Sequence, residues 1–319
     1  MQRTLFGERF LDIAASYVKR FVERFDPRRL YVFFSGGKDS AAALAAVAYA
    51  GDSVVKRTVV VYNELVGNTH PWNVEQAYRV LRRLGFGEPV VVESPPYERI
   101  PVAVLGGARV LHIRARSRMR EDFWGAVMRW GIPVLRPSGK FGRRWCYNEF
   151  KEKHWRVLPP ERGNKRFVVV GVKATDSHWR RTRWLANNPE AREWVRVFEW
   201  RGGGRRVVDY AVSPILRLTT EQVWQLLGEA GLRGELRTYE ACGDSLNCVF
   251  CPLRSLEKQR RVLECVAGSG EGRAIIARAL EALMGLERAK PDSLTRRKAE
   301  EWLGLLRGLV AESTAQRRT

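Results

Sequence analysis

A short glycine-containing segment near the start of the chain places the strongest constraint on its fold. Residues 35–40 are Ser-Gly-Gly-Lys-Asp-Ser, and they separate an apolar run at 29–34 from an alanine-rich run at 41–49. The first run predicts a buried strand and the second a helix. A glycine pair allows a sharp turn that brings backbone N–H groups close to an anion, and the following helix adds unpaired N–H groups. The segment therefore predicts a phosphate-binding turn between a strand and a helix.

Short valine-rich runs alternate with stretches of helical periodicity along the first part of the chain. Uninterrupted apolar runs are typical of strands covered on both faces, and their alternation with helices predicts βαβ units and a parallel sheet. We therefore expect an α/β fold with a doubly wound, mostly parallel sheet. The predicted strands are residues 29–34, 58–62, 89–93 and 167–172, and the predicted helices are residues 4–25, 41–49, 73–84 and 122–130.

The later part of the chain has a different pattern. Three successive glycines at 202–204 predict a surface turn between two strands. Thr219 and Thr220 precede a helical pattern and predict an N-terminal threonine cap. A cysteine-rich segment follows, and after it the pattern is helical. We expect a phosphate-binding α/β domain at residues 1–212 and a cysteine-containing helical module at residues 213–319.

The chain contains no run of about 18 apolar residues, the length that a membrane-spanning helix requires. Residues 10–25 have apolar side chains at helical spacing among charged ones, which predicts an amphipathic helix and not a secretory signal. We expect a cytoplasmic protein without a membrane partner.

The formal net charge of +21 and the pI of about 10.4 favour a polyanionic partner, either a nucleic acid or a phosphate-rich nucleotide. The alternative is an arginine-rich surface in an organism whose proteins are generally basic. Residues 97–120 are irregular and strongly basic, and tryptophans lie among the arginines as base stacking would require. The alternative for the tryptophans is the hydrophobic core. The arginines in question are Arg114, Arg116, Arg118 and Arg120, and the tryptophans include Trp124, Trp130, Trp145 and Trp155.

The side chains of the glycine segment have separate predicted roles. Lys38 adds a mobile positive charge, Asp39 can hold Mg²⁺ or orient phosphates, and Ser40 can cap the helix. The segment is not a Walker A loop, because the required Gly-x4-Gly-Lys spacing is absent. The structural alternative is an ordinary turn with glycines for the bend and a capping serine.

In its context after an apolar strand, the Ser35–Ser40 segment resembles the phosphate loop of the PP-loop ATP pyrophosphatases. A second segment, Arg144-Trp145-Cys146 with Lys151 five residues after the cysteine, resembles one of the phosphoadenosine phosphosulfate (PAPS) reductase family.

A third segment begins at Gly171 and is similar to the family's Gly-x-Arg-x-x-Glu-Ser-x-x-Arg, with Ser177 and Arg180 at matching positions. Lys173 and Asp176 stand where the family has arginine and glutamate, so the bidentate reach of an arginine is lost at Lys173. The stretch from Ser213-Pro214-Ile215 to Val223-Trp224 also matches. These segments follow the family's order, and surface charges with a capping serine are the structural alternative.

The resemblance implies an adenine nucleotide alpha-hydrolase-like fold that binds ATP, with Mg²⁺, or binds PAPS or adenylyl sulfate as substrate. Lys38, Asp39 and Cys146 would then be catalytic. The implied nucleotide-binding residues are Ser35, Gly36, Gly37, Lys38, Asp39, Ser40, Lys151, Gly171, Lys173, Ser177 and Arg180.

Three of the five cysteines lie close together, as Cys242-x5-Cys248-x2-Cys251, and Cys146 is the candidate for a fourth ligand. This spacing favours a metal or redox site over a disulfide framework. In relatives that reduce adenylyl sulfate or thiolate nucleic acid, cysteines at these two places hold a [4Fe-4S] cluster, and zinc or no metal are the alternatives. Cys265 is predicted to be a buried helix cysteine.

The resemblance favours an ATP-dependent enzyme that adenylates a target and transfers sulfur to tRNA or DNA with release of pyrophosphate. The first alternative is a PAPS or adenylyl-sulfate reductase that makes sulfite. Glu264-Cys265 lacks the Gly-Leu-His that completes the catalytic tail of many such reductases, and this argues against it. A second alternative is a non-catalytic module that binds a nucleotide or nucleic acid. A sulfur donor or a thioredoxin-like reductant would be the further partner.

Overall fold

A computed structural model of the chain describes residues 7–94, 109–133, 145–176, 195–202, 205–288 and 293–316. Within these ranges seven strands form one sheet in the order β3-β4-β2-β1-β5-β7-β6. The strands are β1 (Leu30–Phe34), β2 (Thr58–Leu65), β3 (Val90–Ser94), β4 (Val110–Ala115), β5 (Lys165–Val170), β6 (Val195–Gly202) and β7 (Arg205–Val212).

All neighbouring strands are parallel except β6, which is antiparallel to β7. The central strands β1, β2 and β5 are buried along most of their length, which explains their continuous apolar sequences. The predicted α/β class with a mostly parallel sheet is confirmed. Strand β2, the next strand in the chain, lies on one side of β1, and β5 lies on the other side of β1. The crevice between the carboxyl ends of β1 and β5 is therefore the switch point of the sheet, where open α/β sheets bind ligands.

The helices in sequence order are α1 (Phe10–Phe25), α2 (Lys38–Tyr49), α3 (Asp52–Arg57), α4 (Pro71–Arg83), α5 (Phe123–Trp130), α6 (Trp145–Tyr147), α7 (Lys153–Arg156), α8 (Thr220–Glu229), α9 (Arg237–Cys242), α10 (Leu256–Ala267), α11 (Gly270–Arg288) and α12 (Ser293–Gln316). A π-helical segment, Asn148–Glu152, joins α6 to α7. Three short 3₁₀ turns are Arg162–Asn164, Ala174–Asp176 and Arg233–Glu235. No helix in the described ranges is long and apolar enough to cross a membrane.

Two helical layers cover the sheet, one on each face. Apolar side chains of α1, α2, α4 and α8 pack on one face in a core that includes Val32 and Val60. Those of α5, α10, α11 and α12 pack on the other face around Tyr31 and Val61. Successive strand side chains point to opposite faces, which is why neighbouring residues of β1 and β2 enter different cores. The division of the chain at residue 213 remains a prediction.

Several predicted elements differ from those observed. Helix α1 begins at Phe10 and not at residue 4, because Gly7 has a positive φ of 77° and Arg9 is extended. Helix α2 begins three residues earlier than predicted, at Lys38. The basic stretch 97–120 contains strand β4, which lies between β2 and β3. The capping prediction for α8 holds: Thr219 caps the helix in a capping box with Gln222.

Candidate functional site

The glycine segment follows β1 directly and opens α2. Gly36 has a positive φ of 74°, a conformation that favours glycine, and the extended Gly37 is the N-cap of the helix. The first N–H groups of α2 have no carbonyl partner within the helix, so those of Lys38, Asp39 and Ser40 are available to a ligand or a neighbouring group. The phosphate loop, as we call residues 35–40 from here on, therefore has the predicted strand–turn–helix geometry.

Ser40 closes the phosphate loop on itself. Its hydroxyl accepts a hydrogen bond from the Ser35 N–H at 3.1 Å and donates one to the Gly37 carbonyl at 2.9 Å. The two serine hydroxyls are 3.0 Å apart. The expectation that Ser40 caps α2 is wrong, because α2 begins two residues earlier and Ser40 lies within its first turn.

Side-chain amides hold the carbonyl groups of the phosphate loop. Asn73 Nδ2 and Asn247 Nδ2 donate to the Ser35 carbonyl at 3.1 and 2.9 Å. Gln76 Nε2 donates to the Gly36 carbonyl at 2.7 Å. Carbonyl oxygens without a partner would repel a phosphate. Here the side-chain amides donate hydrogen bonds to them. These bonds hold the carbonyl groups of the loop in place before any ligand binds.

Gly171 follows β5 and lies directly against the phosphate loop. A Cβ atom at this position would lie 2.6 Å from the Asp39 carbonyl oxygen and 2.7 Å from the Ser40 nitrogen. The backbones after β1 and β5 therefore meet at the switch point, and only a glycine allows this distance. Gly171 thus lies beside the loop, and its role in nucleotide binding stays a prediction.

Two lysines and a carboxylate form the charged part of the site. Lys38 Nζ lies 2.8 Å from Asp39 Oδ2, and Lys173 Nζ lies 3.5 Å from Asp39 Oδ1. Lys173 is only 2% exposed, and its ammonium group also contacts Asp176 at 3.2 Å and the Thr220 hydroxyl at 2.7 Å. Such a buried ammonium group is held by its partners, whereas Lys38 is more accessible. Asp39 therefore orients both lysines beside the loop.

The hydroxyl of Tyr239, on α9, occupies one of the donors of the phosphate loop. The Lys38 N–H donates to it at 3.1 Å, and its ring packs edge-on against Trp224. Burial raises the pKa of Tyr239, so the hydroxyl stays protonated at neutral pH. A side chain 201 residues further along the chain therefore occupies one N–H donor of the phosphate loop.

Neither a protein-family model nor a curated protein matches this chain. The likeness to PAPS reductase relatives remains a resemblance of motifs at this point.

The remaining predicted nucleotide-binding residues are not all described. Ser177 and Arg180 lie outside the described residues. Lys151 is partly buried in the π-helical segment, whose Phe150 carbonyl accepts a hydrogen bond from Asn63 Nδ2 at 3.2 Å near the end of β2. The structure thus groups residues 35–40 with Gly171 and Lys173, while Lys151 belongs to a different element, and its role stays a prediction.

Cys242, at the end of α9, forms a disulfide with Cys265 of α10. Cys242 is buried, whereas Cys265 is partly exposed. The expectation that Cys265 is a buried cysteine within a helix is therefore corrected: it is on a helix, but it is half-buried and bonded. Sequence spacing could not show this pair, because 23 residues separate the two cysteines.

The predicted four-cysteine site is not assembled while this disulfide exists. Cys146, Cys248 and Cys251 are partly buried and not disulfide-bonded. Cys146 and Cys248 both pack against the core that contains Cys242. No group of three or more His, Cys, Asp or Glu side chains in the described ranges is arranged to hold a metal ion. This geometry does not fit a [4Fe-4S] cluster or zinc, and both stay predictions, as does the catalytic role of Cys146.

The basic stretch predicted to contact a polyanion makes internal ion pairs. Arg114 Nε lies 3.4 Å from Glu64 Oε2, and Arg116 Nε lies 3.6 Å from Glu93 Oε2. Trp124 is fully buried, so it is a core residue and not a stacking platform. A nucleic-acid partner remains a prediction that rests on the net charge.

The sequence analysis missed the residues that support the phosphate loop from outside. The sequence does contain a signal for Asn73 and Gln76. These polar residues occupy core-facing positions of α4, where apolar residues are usual. Both are completely buried. Tyr239 and Asn247 carried no such signal, because their partners are more than 200 residues away.

Proposed function

We propose that this protein is a PP-loop enzyme with an adenine nucleotide alpha-hydrolase-like fold that binds ATP at residues 35–40. One observation carries the proposal: the phosphate loop and Gly171 meet backbone to backbone at the switch point of the sheet, with Lys38 and Lys173 beside them. Helix N-termini at such crevices are anion sites with a positive dipole end.

The chain's own groups suit a leaving pyrophosphate. The N–H groups at the start of α2 would bind the phosphate oxygens, the Lys38 N–H after it exchanges the Tyr239 hydroxyl for phosphate, and the Lys38 side chain would move from Asp39 onto them. Asp39 would then hold the Mg²⁺ that accompanies ATP, since it is the loop's own carboxylate. Donors fixed in advance stabilise the charge that develops on the leaving group without reorganisation in the transition state.

The proposed reaction is adenylation followed by sulfur transfer. An oxygen of the acceptor attacks the α-phosphorus of ATP, the bond to the β-phosphate oxygen breaks, and pyrophosphate leaves. The acceptor oxygen then carries AMP, a better leaving group than hydroxide. Hydrosulfide displaces AMP and leaves a thiol on the acceptor; a persulfide donor would leave an acceptor-bound disulfide, which a second thiol must then cleave to release the carrier. The net charge of +21 favours tRNA or DNA as this acceptor.

Binding tests the first half of the proposal. Titration calorimetry should show that MgATP binds the wild type, and that Lys38→Met binds at least about tenfold more weakly, because a hydrogen bond to a charged group contributes about 1.5–3 kcal/mol. Lys19→Met, at an exposed position on α1, is the matched control and should bind within about twofold of the wild type. A wild-type protein that binds no adenine nucleotide would refute the proposal.

Turnover tests the second half. Release of pyrophosphate from ATP, stimulated by tRNA or DNA, would support adenylation. Release of sulfite from adenylyl sulfate or PAPS, dependent on a thioredoxin-like reductant, would establish the reductase instead. Binding without either product would indicate a non-catalytic module.

A further inference from the structure

The segment around α9 contacts the phosphate loop directly at two points and indirectly, through Asn73 of α4, at a third. Tyr239 accepts the Lys38 N–H, Ser245 Oγ donates to Asn73 Oδ1 at 3.1 Å, and Asn247 Nδ2 donates to the Ser35 carbonyl. We name residues 237–247 the cysteine arm. Any shift of the cysteine arm therefore changes the hydrogen bonds of the loop that would receive phosphates.

The disulfide fixes the cysteine arm at its centre. Cys242 is the last residue of α9, three residues after Tyr239, so the two lie on the same side of this short helix. Its bond to Cys265 joins α9 to α10, a helix of 12 residues that packs into the core under the sheet. The bond therefore anchors the helix that carries Tyr239 to a rigid element.

We propose that Cys242 and Cys265 form a thiol–disulfide site whose oxidation state controls the affinity of the phosphate loop for its nucleotide. This inference rests on the nucleotide-binding function proposed above. In the oxidised form the anchored α9 holds the Tyr239 hydroxyl on the Lys38 N–H, and the hydroxyl competes with a phosphate oxygen for that donor. In the reduced form α9 is released, the donor becomes available, and the nucleotide binds more tightly.

The chemistry requires an external dithiol as reductant. Cys265 is the partly exposed sulfur and Cys242 is buried, so a thiolate of the dithiol attacks Cys265 Sγ and Cys242 leaves as a thiolate that takes up a proton. The second thiol of the reductant then attacks the mixed disulfide and releases Cys265. The protein disulfide gains two electrons and two protons, and the dithiol becomes a disulfide.

Two measurements test the coupling. The first is hydrogen exchange of the Lys38 amide without nucleotide, in chelator-containing buffer, with the thiol state confirmed by alkylation and intact mass. Reduction should speed this exchange in the wild type. Tyr239→Phe should exchange fast in both states, and Cys265→Ser should be fast with or without dithiol.

The second measurement is titration with MgATP, without the chelator and with metal content checked on the same samples. The reduced wild type should bind at least about fivefold more tightly than the oxidised form, the lower end of typical coupling. Tyr239→Phe should bind like the reduced wild type in both states. Tyr49→Phe, which alters an exposed tyrosine at the end of α2, is the matched control and should keep the redox response.

Each outcome decides the proposal. Five free thiols in the protein kept under oxidising conditions, or a Lys38 amide that exchanges equally in both states, overturns it. A redox effect that persists in Tyr239→Phe also overturns it, because the hydroxyl would not carry the coupling. Redox-dependent exchange in a protein that binds no nucleotide supports the coupling to the loop and refutes only the nucleotide-binding function.

Discussion

Gly171 shows how a single residue can determine the geometry of the candidate site. Its role does not come from an unusual φ, since other residue types can adopt its backbone conformation. The restriction is steric: the peptide between Asp39 and Ser40 occupies the space that a side chain would need. Because that obstacle is backbone at the start of a helix, it cannot move aside by a rotamer change.

Replacement of Gly171 by alanine should therefore displace the phosphate loop. We expect MgATP binding to weaken by at least about tenfold, since even small misplacement of several donors costs more than one hydrogen bond. Titration calorimetry measures this effect. Gly228→Ala on α8 is the control: a Cβ there meets nothing within 4 Å, and alanine should add up to about 1 kcal/mol of stability. Unchanged affinity in Gly171→Ala would show that the loop tolerates the displacement.

The buried ammonium group of Lys173 is a second feature at this scale. The family resemblance predicted a phosphate ligand at this position, with arginine as the usual residue. Here Lys173 contacts Asp39, Asp176 and Thr220, so it already has three partners. These partners hold the ammonium group in the folded protein, and phosphate contact would require them to rearrange.

Among the elements, the helical run from α6 to α7 is unusual because of its π-helical segment. Glu149 and Glu152 are buried in that segment and pair with Lys153 and Arg156 one turn later. Wider turns of this kind are frequent near functional sites. The run packs against the end of β4, where His154 is completely buried and donates from Nε2 to the Arg116 carbonyl at 3.1 Å.

His154 should make the stability of the fold depend on pH. Burial lowers its pKa from the ordinary 6.5 to about 4 in the folded protein. As the pH falls, His154 therefore binds a proton in the unfolded chain before it does so in the folded protein. The contribution of His154 to the free energy of unfolding is fully present above pH 6.5. It decreases between pH 6.5 and 4 and does not change further below pH 4. At 1.36 kcal/mol per pKa unit the total loss is ~3 kcal/mol, of which ~2 kcal/mol falls between pH 8 and pH 5. Urea denaturation of the wild type and His154→Gln at pH 8 and pH 5 measures the difference, and equal pH dependence of both would contradict the assignment.

For the whole molecule, the packing of the C-terminal helices on the sheet is the main feature. Trp302 on α12 is 1% exposed, and its ring centroid lies 6.4 Å from Trp124 of α5 and 5.4 Å from Phe250. These three rings belong to different parts of the chain but to one core. Loss of this contact should affect the entire fold.

Trp302→Ala should destabilise the protein by about 3–5 kcal/mol, the usual cost of removing a large buried aromatic side chain. We expect one unfolding transition, with the same midpoint by circular dichroism and fluorescence. Met284→Ala, at a 44% exposed position on α11, is the control and should change stability by less than about 0.5 kcal/mol. Two separate transitions would indicate that residues 213–319 unfold as an independent module.

The sequence alone determined those features that depend on local pattern. The strand, turn and helix around residues 35–40 follow from apolar runs and two adjacent glycines, and the mostly parallel sheet follows from the alternation of strands and helices. Strand β4 was missed because its basic neighbours obscure the pattern, although Arg114 is held there by carboxylates of β2 and β3. The strand propensity of a local segment does not predict such pairs between neighbouring strands.

Only the tertiary structure decided which distant groups meet at the loop. Tyr239 and Asn247 reach it across more than 200 residues, and Cys242 pairs with Cys265 instead of completing the predicted four-cysteine set. The physical reason is that spacing along the chain limits only nearby contacts. Contacts across long separations depend on how α9 and α10 pack on the sheet, and that packing is a property of the whole core.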